Sequence, residues 1–478
     1  MAPPGLPPST EDLLAVIAAQ QAQIATLLVK VATLSAKVAE LERRLGLNSS
    51  NSGKPPSSDG LKKPNRTRSL RERLGNKPGG QKGHPGETLR QSATPDQIIG
   101  HYPASCSGCG AALTSAMSRS HAVRQVFDLP EPQPLRIIEH RAYACACVAC
   151  GTRTRADFPA GVNAPVQYGS RIAAFAVYLL HAQFLPEDRL AALMADLFGV
   201  RLTAATIARM SRSYAASLHG FGEAVRDLVA GASVKHMDET GFRIGGKTQW
   251  LHVASNAWLT FYRVSAKRGS LMESVTGIVV HDHWKPYYTM PDVQHALCNA
   301  HHLRELQALA DIEKEDWSGK MQRLLRRACH VANLARERGT DVKPQTIARI
   351  ERCYRRILSE GFAFHLAQPA HGRADGARRG RVARRTGHNL LIRLRDRSKD
   401  TLRFLRNLSV PFTNNQAERD IRMMKLRQKI SGGFRSSDSA TDFALIRSFL
   451  STARKQGWKL IEVLTQCPDQ LVQNLRVA

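Results

Sequence analysis

The sequence predicts a multidomain α/β protein: a heptad-patterned start, a paired-cysteine middle, a helical pattern over 170–217, and strand-like runs from about residue 231. At 478 residues the chain exceeds what one average core holds, so three or more domains are expected. Charge adds a functional class. The chain carries 69 Lys and Arg against 40 Asp and Glu, a formal charge of +29. Such an excess calls for a polyanion, of which nucleic acid is the usual one. Met1 to Leu14 hold no basic leader and no apolar run long enough for a signal peptide. Ile172 to Leu180, read as the most apolar stretch, is about half the length of a bilayer crossing. The expectation is a soluble, cytoplasmic protein with no membrane partner. Its nine cysteines are then not expected to form disulfides, since the cytosol is reducing.

Residues 1–47 read as a coiled coil. Heptad positions a are Ile17, Ile24, Val31, Val38 and Leu45, and positions d are Leu13, Gln20, Leu27, Leu34 and Leu41. β-Branched residues at a with Leu at d favour a parallel two-stranded coil, so a homodimer or higher assembly is expected. Residues 48–93 turn to Ser, Pro, Gly, Lys and Arg, which cannot bury a core and suit a basic arm lying along phosphates. The Gly-rich piece Gly79 to Gly86 lacks the spacing of a phosphate loop.

Residues 94–160 hold Cys106-Ser-Gly-Cys109-Gly110 and Cys147-Val-Ala-Cys150-Gly151. Each CxxC knuckle supplies two thiolates and the following Gly allows a tight turn, so Cys106, Cys109, Cys147 and Cys150 are expected to hold one structural Zn²⁺. Cys145 is a fifth local thiol and leaves open whether it replaces Cys147. Strands are expected to fill the long gap between the knuckles. Cys298, Cys329, Cys353 and Cys467 are scattered and read as ordinary core or surface thiols.

Residues 161–225 have a helical pattern. One helix ends at Gly199 and Thr203 can cap the next, the shape of a helix-turn-helix with Arg209 and Arg212 offered to DNA.

Residues 226–297 switch to strands. Val234 to Asp238 and Gly277 to Asp282 are both apolar runs driving into a carboxylate, with Thr248–Ser255 and Leu259–Val264 between them. Two acids at the ends of buried strands are costly unless a divalent cation compensates. His281 and His283 point opposite to Asp282 along a strand and are left out of the ligand set. His301 and His302, which follow Cys298, read as polar residues at a helix start rather than a second zinc site. Far downstream, Asn415 and Glu418 have capping-box spacing. Glu418 equally suits a metal ligand, because Arg422 and Lys425 share its helical face and can grip phosphates. Both readings stand together at this point. The stretch from Arg373 to Arg406 is dense in Arg and is expected to track DNA phosphates.

Asp-Glu-Thr-Gly at 238–241, His-Asp-His-Trp at 281–284, Cys-Asn-Ala-His at 298–301 and Thr-Asn-Asn-Gln-Ala-Glu-Arg at 413–419 together resemble the insertion-sequence-66 family of DDE transposases. The likeness covers nearly the whole chain and includes the zipper, the GGQKGHPG arm, the paired CxxC region and Gly432-Gly-Phe-Arg435-Ser. It implies a ribonuclease H-like core at 226–297 and 411–478, carrying a helical insertion at 298–410. On that core Asp238, Asp282 and Glu418 would be catalytic and would hold two Mg²⁺, with Arg422 and Lys425 on the DNA backbone. The implied chemistry is two-metal phosphoryl transfer, cutting the transposon end and joining its 3′-hydroxyl to target DNA. Double-stranded DNA, as transposon ends and target, would be the partner, and the bacterial nucleoid the location. Two rivals are a zinc-containing DNA-binding regulator and a ribonuclease H-like nuclease without strand transfer. A regulator has no reason to keep three such carboxylates; only the family likeness argues against the nuclease.

Overall fold

The computed structural model describes residues 10–47, 51, 90–128, 135–368 and 384–477. The chain divides into two compact units: residues 71–163 with 192–201, and the remainder.

The smaller unit is built from two similar turns. Helix α1, Thr10–Gly46, belongs to the other unit; here the elements are strands β1, Ala144–Ala146, and β2, Arg153–Arg155, paired antiparallel with Cys145 opposite Thr154. In the second knuckle Gly151 N donates to Cys147 O at 2.8 Å and Cys147 N to Thr152 O at 2.9 Å. The first repeats this, with Gly110 N to Cys106 O at 2.9 Å and Cys106 N to Ala111 O at 2.8 Å. Gly110 and Gly151 have φ of 72° and 71°, a left-handed conformation that Gly enters without a Cβ clash. Of the strands expected between the knuckles, the described residues hold β1, at the very end of the gap. Before it the chain forms a short turn at Ser115–Met117 and otherwise runs irregularly. None of the described residues of 90–163 is buried, so they offer no core on which to lay more than the β1–β2 pair.

In the larger unit, α1 leaves its heptad side chains in water: Leu13, Ile17, Ile24, Leu27, Val31, Leu34, Val38 and Leu41 are all at least half exposed. Leu13–Ser35 is long and apolar enough to cross a membrane by length and composition, which the reading of Ile172–Leu180 as the most apolar stretch overlooked. Gln20, Gln21 and Gln23 within it would each lose their water there without a partner. The basic arm lies outside the described residues except for Asn51 and residues 90–93.

Four helices follow: α2, Ser170–His181; α3, Glu187–Phe198, which passes into the smaller unit at Ala192; α4, Ala204–Ser217; and α5, His219–Gly231. Gly199 takes a φ of 64° after α3. Thr203 caps α4, its Oγ1 accepting Thr206 N at 3.2 Å. α4 packs on α2 and leaves Arg209 and Arg212 exposed.

The sheet comprises β3, Val234–Ile244; β4, Lys247–Ser255; β5, Thr260–Ser265; β6, Gly277–His281; and β7, Val293–Leu297, in the order β5-β4-β3-β6-β7. β3, β4 and β5 run antiparallel, while β6 and β7 add on in parallel. The β3–β4 hairpin turns on Gly245 and Gly246, whose φ of 52° and 81° suit a two-residue turn that side chains disfavour. This mixed sheet with helices is consistent with a ribonuclease H-like core. Two expectations change. Asp238 lies in the middle of an 11-residue strand rather than at its end, because the hairpin prolongs β3 past its parallel partner. β7 was not anticipated.

The sheet alternation feeds three cores. Met237, Ala254 and Val279 pack with Phe221, Val225 and Phe449. Ile278, Val280 and Ala296 pack under α6, Asn299–Ala308; α7, Asp316–Glu337; α8, Pro344–Leu366; α9, Thr386–Asp396; and α10, Ser398–Arg406. Trp317, Met321, Tyr354 and Leu391 fill that helical bundle. Its two ends meet, Asn299 N donating to Phe412 O at 3.1 Å. Helix α11, Asn415–Ser431, covers Phe242, Leu251 and Val253 with Ile421 and Met424, and α12, Ser437–Lys455, supplies Phe443 and Phe449. α13, Leu460–Val463, and α14, Pro468–Val472, close the chain.

Candidate active site

Strand register brings the first two acids together. The parallel pairing of β3 and β6 runs to His236 opposite Val280, and Asp238 and Asp282 each lie two residues further on. Period-two alternation turns Asp238 away from Met237, which is committed to the core. Each carboxylate has one oxygen fixed: Asp238 Oδ1 accepts Glu239 N at 2.9 Å, and Asp282 Oδ1 accepts Trp284 N at 2.8 Å.

Glu418 arrives on the first turn of α11. The residue that begins this helix is Asn414, whose side chain caps nothing. Its Nδ2 donates to Met237 O at 2.8 Å and its Oδ1 faces His236 Nδ1 at 2.9 Å. The expected capping box is therefore absent: Asn415 is already helical, and the Glu418 carboxylate is turned toward α6. There Oε1 stands 3.9 Å from Cys298 Sγ and 3.8 Å from His301 Nδ1, while Oε2 is 3.9 Å from Arg304 Nη2. A cap was predicted because only spacing was visible; the tie to β3 claims Asn414 instead.

Electrostatics link the three acids. Burial pushes the Asp238 carboxyl up to about 8, and the charges of Glu239, Asp282 and Glu418 push the same way against the Glu239 amide. Mutually repelling, half-buried carboxylates are a donor set that divalent cations neutralise. The residues thus fit such ions, and the hard oxygen donors suit Mg²⁺.

Sequence reasoning missed Glu239. Its side chain is 1% exposed, with Oε1 accepting Arg268 Nη2 at 2.6 Å and Nε at 2.8 Å. Its Oε2 accepts the Tyr287 hydroxyl at 2.6 Å. Arg268 in turn lies over the rings of Trp284 and Trp250, at 4.2 and 5.1 Å. Glu239 is thus spoken for by neighbours while Asp238 faces the other side. The signal was present in the Asp-Glu doublet, since adjacent residues on a strand point to opposite faces.

The expected DNA contacts divide. Arg422, Arg419 and Arg304 line a polar cleft together with Glu418 and His236. Lys425 does not join them, because its Nζ donates to Gly241 O at 2.6 Å. The basic run is partly outside the described residues, and within 384–406 several members are engaged internally. Arg393 pairs with Glu305, Arg406 with Glu351, Arg403 donates to His295 O at 2.7 Å, and Arg397 stacks on Tyr288 at 3.7 Å.

All nine cysteines are free thiols. Among the described residues, the ligand atoms gathered within 4.8 Å of one another are those of Cys298, His301 and Glu418, and the four knuckle thiols are not gathered in this way. Cys298, read from sequence as an ordinary thiol, is buried beside Glu418. His281 is buried against His295 and the Tyr287 ring, away from any ligand role.

Comparison with known families gives two matches. The family described as Transposase IS66 family matches residues 165–442, a span that includes all three acids. A family of unknown function (DUF6444) matches residues 6–90. No curated protein matches the chain.

Proposed function

The chain belongs to the IS66 family of transposases, and on that premise we propose that it cuts transposon ends and joins the freed 3′-hydroxyl to target DNA. Asp238, Asp282 and Glu418 would be the catalytic carboxylates and would hold two Mg²⁺. The observation that carries this reading is the register of β3 and β6, which sets Asp238 and Asp282 each two residues beyond the paired His236 and Val280; in keeping with it, the Asp238 carboxyl is raised by burial and by the charges of Glu239, Asp282 and Glu418. Bound Mg²⁺ would supply positive charge to acidify the attacking water or 3′-hydroxyl and to neutralise the phosphoryl oxygens. The protein's part is positioning. The amides of Glu239 and Trp284 orient the two aspartates, and Asn414 ties the Glu418 helix to β3. Arg304, Arg419 and Arg422 would grip phosphates along the cleft, and Arg209 and Arg212 would add contacts from α4.

The remaining modules follow the same premise. Residues 1–47 would pair copies through the exposed heptad stripe, residues 48–93 would lie on DNA, and 161–225 would read it. Residues 94–160 would be held by one Zn²⁺ on Cys106, Cys109, Cys147 and Cys150; the repeated knuckle turn supports this. Residues 226–297 with 411–478 would form the catalytic core and 298–410 its insertion. The DNA substrate argues for a cytoplasmic, nucleoid-associated protein.

The test uses purified full-length chain, labelled transposon-end DNA and Mg²⁺. Asp238→Asn, Asp282→Asn and Glu418→Gln should each abolish cleavage while DNA binding persists. Normal cutting by any variant removes that residue from the triad, and cutting without a joined product points to a nuclease.

A further inference from the structure

We propose that Cys298, His301 and Glu418 form a second metal site that takes one Zn²⁺ and, when filled, withdraws Glu418 from the catalytic carboxylates. The withdrawal rests on Glu418 being the third catalytic acid; the site itself stands on its own geometry.

The CxxH spacing at the start of α6 sets Cys298 and His301 on one side of the first turn, and α11 brings Glu418 to meet them. Glu418 Oε1 is 3.9 Å from the sulfur and 3.8 Å from the imidazole nitrogen. Zinc bonds of about 2.3 Å to sulfur and about 2.0–2.1 Å to nitrogen or oxygen give tetrahedral ligand separations of roughly 3.3–3.6 Å. Closure therefore needs movements of a few tenths of an ångström. Arg304 approaches the other carboxylate oxygen, Oε2, which leaves Oε1 for the Cys–His pair.

Two further observations point to a ligand. His301 Nδ1 is buried and has no hydrogen-bond partner among the described residues. Against burial, Cys298 and Glu418 raise the His301 pKa to about 9, so a metal taken up there would displace a proton. Cys298 Sγ accepts the backbone N–H of Asn414 at 3.1 Å, a contact that holds the sulfur beside Glu418. The Arg304 guanidinium opposes a cation here; Cys298, deprotonated on coordination, and Glu418 would set two negative charges against its one. Sulfur and imidazole donors select zinc, whereas Mg²⁺ seeks oxygen, so two sites of different softness share one carboxylate.

The experiment titrates Zn²⁺ into full-length protein whose knuckles are already loaded, and follows bound metal by calorimetry and elemental analysis. Wild type should take one equivalent more than Cys298→Ser or His301→Asn, each checked for folding by circular dichroism. Co²⁺ in the same preparation should give a thiolate-to-metal absorption band that Cys298→Ser lacks. Equal metal uptake by wild type and both variants overturns the site. In Mg²⁺-driven cleavage, the ratio of rates without and with Zn²⁺ should be at least about tenfold for wild type and near unity for either variant. Bound zinc with no such inhibition overturns the withdrawal. If Glu418→Gln cuts normally, the catalytic assignment fails, while the metal count still reports on the site.

Discussion

Asn414 donates its side-chain amide to the backbone oxygen of Met237 at 2.8 Å, and so ties the start of the Glu418 helix to the strand that carries Asp238. Asn414→Ala removes this bond and the one to His236, so the Met237 carbonyl loses a donor. Stability should fall by about 1–3 kcal/mol, read by denaturant unfolding. Cleavage should fall by up to about a hundredfold with DNA affinity unchanged, since displacement by an ångström suffices for such a loss. Wild-type cleavage in this variant would show that the tie does not position Glu418.

On the proposed reading, the acid cluster opposes folding until a cation neutralises it. Burial and three neighbouring charges raise the Asp238 carboxyl, so in chelator Asp238→Asn should unfold at a temperature a few degrees higher than wild type. Added Mg²⁺ should stabilise the wild type and narrow the gap. A variant less stable than wild type in chelator would contradict this account of the site.

Arg422 and Lys425 share a helix but not a fate. Arg422 lines the cleft, whereas Lys425 is bonded to Gly241 O. Arg422→Ala should weaken DNA binding and lower the salt slope by about one. Lys425→Ala should leave that slope nearly unchanged. Equal slopes for the two variants would remove the distinction.

His181 gives the fold an acid sensitivity remote from the site. It is buried beside Ser211 Oγ at 2.7 Å, and burial, then the charges of Arg427 and Arg447, lower its pKa from 6.5 to about 3. The unfolded chain therefore binds the extra proton between those values, and the stability held above pH 6.5 is lost as pH falls toward 3. Replacing His181 by Gln should flatten that part of the stability curve, measured by denaturant titration at stepped pH. A slope identical to wild type would clear His181.

Much of the sheet was legible because β-branched and aromatic residues mark β3 to β6, and the Gly245-Gly246 pair marks the hairpin. β7 was not, since Gln294 and His295 dilute its apolar pattern in a five-residue strand. Asp238 and Asp282 could be singled out as acids following apolar runs. Glu418 was ambiguous because spacing cannot tell a cap from a ligand, and Asn414 resolves this only through contacts far apart in sequence. Arg268, Tyr287 and the Cys298–His301 pair gain meaning from neighbours that tertiary folding alone supplies.

The helices from α6 to α10 leave and rejoin the core at one doorway, where Asn299 meets Phe412 and Asn414 meets Cys298. A segment closed at its own neck can change length without transmitting the change, since the entropy of closing a longer loop rises slowly. The bundle beyond α6, whose Arg304 stays at the cleft, is thus free to lengthen or shorten while the acids keep their spacing. The reaction and the region most open to novelty can evolve at separate rates.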